Sequence, residues 1–198
     1  MTVLLVKPRG SGSTRTDLDG AVWSACDVLR RSNCAGALQY VPELTWLLFL
    51  RVLDAREAIE AEERAAFGER FTPSLEAPYR WRDWAAPDGP KRRELAEGTL
   101  GAVKGFVDRE LLPHLRGLRD RPNATARQKV IAEVVRGTER TRVDTDRNIL
   151  DVIDRLDALD VAGDDYADLF PLSQVYEACC SRWARRAMTA ASSSRRGT

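Results

Sequence analysis

Apolar residues in this chain recur at intervals of three and four, and no convincing run alternates with a period of two. The pattern therefore predicts helices and disfavours sheet-based enzyme folds. Leu18, Ala21, Val22, Ala25, Val28 and Leu29 form the first such set. Asp17, just ahead of them, is suited to accept hydrogen bonds from the free amides of a first turn, and the spacing predicts a helix over Asp17 to Arg31. The turn formers Ser32, Asn33 and Gly36 follow, and Pro42 suits the first position of a second helix, where its missing amide costs little. In "VPELTWLLFLRVLDAREAIEAEERAAFG" the apolar face of Leu44, Leu47, Leu48, Val52 and Leu53 is wide, whereas the second half is highly charged. Such a helix starts inside a core and ends in solvent.

The middle of the chain breaks this rhythm. "FTPSLEAPYRWRDWAAPDGPKRR" holds four prolines and the large aromatics Tyr79, Trp81 and Trp84, so it reads as a long irregular excursion packed onto the helices. Leu95, Val103, Phe106, Val107, Leu111 and Leu115 then predict a helix from Arg92 to Leu118, kinked near Pro113. "RDRPNATA" is a turn with Asn123 or Thr125 as a cap. "RQKVIAEVV" and "DRNILDVIDRLDALD" are further helices, the second striped by Ile149, Leu150, Ile153, Leu156 and Leu159, with Asp144 or Asp146 near its start. "SQVYE" opens a last one, and there are no internal repeats. The expected fold is all-α: a helical bundle-like domain over 17–177 with a long irregular aromatic loop. Residues 1–16 read as a disordered leader, and 178–198 as a disordered tail.

Composition narrows the function classes. With 43% hydrophobic and 31% charged residues the chain can bury one real core, so one domain with flexible ends is expected. Lys+Arg number 31 against 30 Asp+Glu, a formal net charge of +1, so any affinity for nucleic acid must come from local patches. Cys26, Cys34, Cys179 and Cys180 show no CxxC spacing, and His114 is the only imidazole, which argues against zinc. The start lacks the apolar run of a secretory signal, and no stretch reaches membrane-span length. A cytoplasmic protein with reduced cysteines is expected.

Candidate chemistry is sparse. His114 has no orienting partner visible in the sequence and reads as structural. "GSGSTR" lacks the lysine, preceding strand and following helix of a phosphate loop, and the acidic residues of "DTDRNILDVIDRLDALD" describe a solvated helix face without a calcium-loop pattern. "YRWRDWAAPDGPKRR" places Tyr79, Trp81 and Trp84 among Arg80, Arg82, Lys91, Arg92 and Arg93, a mixture suited to stacking and to phosphate contact. The simpler alternative, favoured on composition alone, is that the rings pin the loop to the core while the cations sit in water.

Taken in order, "VWSACDVLR", "YVPELTWLLFLRVLDAREA", "PYRWRDWA", "VIAEVV" with "RTRV", "NILDVIDRLDALD" and "LSQVYE" resemble the N-terminal helical domain of the methyltransferase (M) subunit of type I DNA restriction-modification systems, over Leu18 to Glu177. The resemblance implies a subunit that transfers a methyl group from S-adenosylmethionine to the exocyclic amine of adenine, at a bipartite target chosen by a separate specificity subunit. The family's "NPPF" or "NPPY" segment and its glycine-bearing cofactor turn do not occur in this sequence. The expected role is therefore that of an N-terminal fragment, inert alone, which helps enclose DNA and contacts the specificity subunit and other M subunits. On this reading Tyr79, Arg80, Trp81, Arg82, Trp84, Lys91, Arg92, Arg93, Arg140 and Arg142 are the candidate DNA or subunit contacts, meeting phosphates weakly and without reading bases. No catalytic, cofactor-binding or metal residue is assigned. The alternatives are a helical protein-protein adaptor, docking through the aromatic loop, and a vestigial product without function.

The tail fits the same reading. From Ala178 it carries two adjacent cysteines, five arginines and no acidic residue. In the family "LSQVYE" leads into a glycine-rich segment and a "QFFTPR"-like motif. With a permitted choice of degenerate bases, restoring one G after the Glu177 codon converts "ACCSRWARRAMTAASSSRRGT" into "GLLLKMGEKGNDGGQFFTPRD". The expectation is a one-base deletion, in which Cys179, Cys180 and Trp183 are accidental.

Overall fold

The computed structural model describes residues 15–32, 37–159 and 161; the leader up to residue 14, Cys34, "SQVYE" and the tail lie outside the described residues. Helix α1 spans Arg15–Arg31 and buries Val22, Ala25, Cys26, Val28 and Leu29, the face that the spacing predicts. It begins two residues before Asp17, which falls within the first turn instead of capping it. Helix α2 spans Ala37–Ala66, and Pro42 lies inside it rather than at its first position. Burial of Tyr40 and Val41 on the α2 face draws the helix N-terminal of the proline, and that gain outweighs the single backbone hydrogen bond Pro42 cannot make. Glu62 to Arg70 are all exposed, so α2 does run from core to solvent.

The aromatic excursion is more ordered than its prolines suggest. It contains a cis Ala77–Pro78 bond and two short helices, α3 (Trp81–Trp84) and α4 (Pro90–Ala96). The single helix expected over Arg92 to Leu118 is interrupted by "EGTLG", where Gly101 adopts a left-handed φ of 88°. Beyond it come α5 (Ala102–Phe106), a π-helical turn (Val107–Leu111), α6 (Leu112–Gly117) and a 3-10 turn (Leu118–Asp120). The wide turn, in which the Leu112 amide donates to the Val107 carbonyl, stands directly before Pro113, the expected irregularity. Despite these breaks Val103, Phe106, Val107, Leu111, Leu112 and Leu115 all face inward.

Helix α7 (Ala126–Val134) starts at Thr125, whose hydroxyl accepts from the Gln128 amide while the Gln128 side chain accepts from the Thr125 amide. Helix α8 (Asp146–Asp157) is capped by Thr145 and not by Asp144 or Asp146. Its stripe of Ile149, Val152, Ile153 and Leu156 packs most extensively on α1, with α2 and α5 flanking it. Among the described residues there is no strand, and one apolar cluster runs from Val22 to Val161, so the architecture is all-α.

Candidate functional site

The aromatic segment is a clasp built into the core. Trp81 and Trp84 are each 1% exposed. The Trp84 ring lies 5.6 Å from Trp81, 6.5 Å from Trp46 on α2 and 6.2 Å from Phe106 on α5, so one indole joins three elements. The Trp81 Nε1–H donates to Asp157 Oδ1 at 2.8 Å, tying the clasp to the last turn of α8. Half-buried Tyr79 stacks on His114 at 3.7 Å and on Phe106 at 6.2 Å. Burial and the nearby Arg121 guanidinium push the His114 pKa down, against a smaller opposing pull from Glu76. Gly89 is required where the segment turns back, because a Cβ there would stand 2.4 Å from the Asp83 carbonyl oxygen.

Four of the five cations of the segment are engaged internally. Arg80 donates through Nε and Nη2 to the two carboxylate oxygens of buried Asp83, at 2.7 and 3.0 Å. Arg82 pairs with Asp54 at 2.9 Å and donates to its carbonyl at 3.0 Å. Lys91 lies over the Phe106 ring at 5.3 Å and donates to Glu94 at 2.7 Å. Arg92 donates to the Ala85 carbonyl at 2.6 Å and pairs with Asp154 at 2.7 Å. Arg93, Arg140 and Arg142 are exposed and have no such partner among the described residues. The ten candidates thus divide: seven belong to the clasp, whereas Arg93 faces solvent beside it and Arg140 and Arg142 stand apart, between α7 and α8.

A buried polar network that the sequence did not disclose holds that distant segment. Glu43, 1% exposed on α2, accepts from Trp46 Nε1 at 3.2 Å, from the Thr141 hydroxyl at 3.0 Å and from the Arg142 amide at 3.0 Å. Desolvation pushes its carboxyl above the ordinary range, although these donors and Arg142 pull it down. Asp108, on the π-helical turn, accepts from the Thr141 amide at 2.7 Å. Asp146 accepts from the Gly101 and Lys104 amides at 2.8 and 2.9 Å, fixing the start of α5 from α8. The only hint in the sequence was a carboxylate set inside a wide apolar face, as in "VPELTWLL".

Among the described residues no group of three or more His, Cys, Asp or Glu is arranged to hold a metal ion, and no helix is long and apolar enough to cross a membrane. The described residues form an all-α scaffold with an internal aromatic clasp. Residues 18–154 match the family described as the HsdM N-terminal domain, and the chain belongs to that family. It is 30% identical over 103 residues to the type I restriction enzyme EcoEI methylase subunit of Escherichia coli, a match covering 51% of this chain and 19% of the relative. A crystal structure of a modification subunit from Vibrio vulnificus YJ016, assigned to a type I restriction enzyme, aligns with a TM-score of 0.71 at 27% identity. That alignment covers 87% of this chain and 36% of the other. A chain from a structure addressing complex assembly and conformational transition of the type I R-M system aligns at 0.62 with 33% identity, over 86% and 31%. The chain thus spans between 19% and 36% of the length of these relatives.

Proposed function

We propose that this chain serves as the helical N-terminal part of the adenine-specific DNA methyltransferase subunit of a type I restriction-modification system, contributing DNA enclosure and subunit contacts rather than methyl transfer. The observation that carries this reading is that 87% of this chain superposes on 36% of a modification subunit of a type I restriction enzyme. S-adenosylmethionine and the flipped adenine belong to the remainder of such a subunit, which supplies the pocket for both. The partners are the specificity subunit, other M subunits and, weakly, DNA phosphates. The compartment is the cytoplasm.

The buried rings of Trp81 and Trp84 support the reading that they act indirectly, by holding the fold beneath any surface that a partner meets. Among the candidates, Arg93 is exposed beside the clasp and Arg140 and Arg142 are exposed on the segment between α7 and α8, whereas Arg82 is held by Asp54. The tail from Ala178 is read as the product of a one-base deletion after Glu177. Mixing the 198-residue chain with an intact specificity subunit of the same system tests the reading; co-elution as a defined complex is expected. Aggregation without a complex would favour a vestigial product. Transfer of labelled methyl groups to DNA by the chain alone would overturn the assignment of catalysis to the remainder.

A further inference from the structure

We propose that the domain meets DNA phosphates through Arg109, Arg140 and Arg142, on the strap between α7 and α8 and the π-helical turn beneath it, and not through the arginine-rich clasp. This rests on the reading that the domain touches DNA.

The clasp is the more basic text but the less available surface. Moving Arg80 onto a phosphate would strip both hydrogen bonds from Asp83, whose side chain is 6% exposed. Moving Arg92 would abandon a carbonyl and a carboxylate together. Leaving a buried acceptor unpaired costs at least what a new phosphate contact returns.

Arg109, Arg140 and Arg142 carry no such penalty. All three are exposed, and among the described residues none donates to a carboxylate or carbonyl. Their backbone is nevertheless fixed. Arg116 Nη1 donates to the Thr138 and Glu139 carbonyls at 2.5 and 3.3 Å, Lys104 Nζ donates to the Thr141 carbonyl at 3.1 Å, Asp108 accepts from the Thr141 amide and Glu43 from the Arg142 amide. Thr141 and Val143 point inward while Arg140, Arg142 and Asp144 point outward. Arg109 joins the strap through its neighbour Asp108, and its guanidinium lies across Gly105, where a Cβ would stand 2.4 Å from Nη2. Glu110, Glu139 and Asp144 share the exposed surface, which suits positioning on a backbone and not tight binding.

The test is anisotropy of a labelled duplex of arbitrary sequence, titrated with the full chain over a salt series. The paired substitution Arg140→Ala with Arg142→Ala is expected to lower the slope of log affinity against log salt by about 1.8, and Arg109→Ala by about 0.9. Arg82→Ala should leave the slope unchanged. Melting curves serve as the folding control. A paired variant that folds and binds with wild-type slope would overturn the strap assignment while leaving DNA binding intact. Failure of the wild-type chain to bind any duplex at the lowest salt would overturn the DNA reading and the inference with it. If the paired variant loses binding to polyglutamate but keeps its affinity for DNA, the surface belongs to an acidic protein and the inference falls.

Discussion

Glu43 shows how much one side chain decides. Its three donors come from α2 itself and from the strap ninety-eight residues away in sequence, so removing the carboxylate strands buried donors on both. Glu43→Ala should destabilise the domain by about 1–3 kcal/mol in urea unfolding. The pH dependence has a definite sign. Because burial raises the folded-state pKa above the ordinary 4.5, folding binds this proton more tightly. The contribution is present in full below the unfolded value and is lost as pH rises through the folded one. Relative to Glu43→Gln, the wild type should therefore lose stability between acid and neutral pH; parallel pH profiles of the urea midpoint would contradict this. Glycine positions differ just as sharply. Gly89→Ala, which drives a Cβ into the Asp83 carbonyl, should cost about 1–3 kcal/mol. Gly117→Ala meets nothing within 4 Å at a helical φ of −68° and should be neutral or stabilising by up to about 1 kcal/mol, as thermal melts would show.

At the scale of elements, short helices survive because their ends are tied. Helix α7 has nine residues and a capping box at Thr125 and Gln128. Thr125→Ala should cost about 1 kcal/mol, read as a lowered urea midpoint. This cap was legible, since a hydroxyl followed three residues later by an amide side chain is a local signal. The start of α8 was legible too, since the stretch read as a helix opens at Asp146, where the structure begins it, but its cap was not. Asp146 has the right chemistry and nearly the right place for a cap, yet its carboxylate serves the amides of α5, and Thr145 caps instead. Sequence shows what a carboxylate can accept, and tertiary packing chooses among the donors within reach. The break at "EGTLG" was missed for a related reason: an apolar period can continue across a kink as long as each piece faces the same core. At the far end of α2, exposure of the whole charged half agrees with its composition.

For the whole molecule, the clasp is the joint that makes one body of the helices. Trp81, Trp84, Asp157 and Arg51 bring α2, α3 and α8 together, with Arg51 Nη2 donating to the Asp157 and Leu159 carbonyls at 3.2 and 3.0 Å. Trp84→Ala should cost about 3–5 kcal/mol and reduce the yield of folded domain, which hydrogen exchange would report across all three elements. By contrast Arg93→Ala, on the clasp's outer side, should leave unfolding unchanged.

The sequence by itself determined that the chain is helical, which faces are apolar, and that its blocks follow the order found in type I M subunits. The helices and their faces are carried by the spacing and identity of neighbouring residues, which local physics can read, whereas the block order is a resemblance to a family. Only the tertiary structure decided that the aromatic, arginine-rich stretch turns inward, that Glu43 is a buried keystone, and that the Arg140 and Arg142 side chains are exposed and donate to no carboxylate or carbonyl among the described residues. Whether a cation is available depends on which carboxylates lie within reach, and in this chain Arg82 finds Asp54 twenty-eight positions earlier while Arg92 finds Asp154 far later.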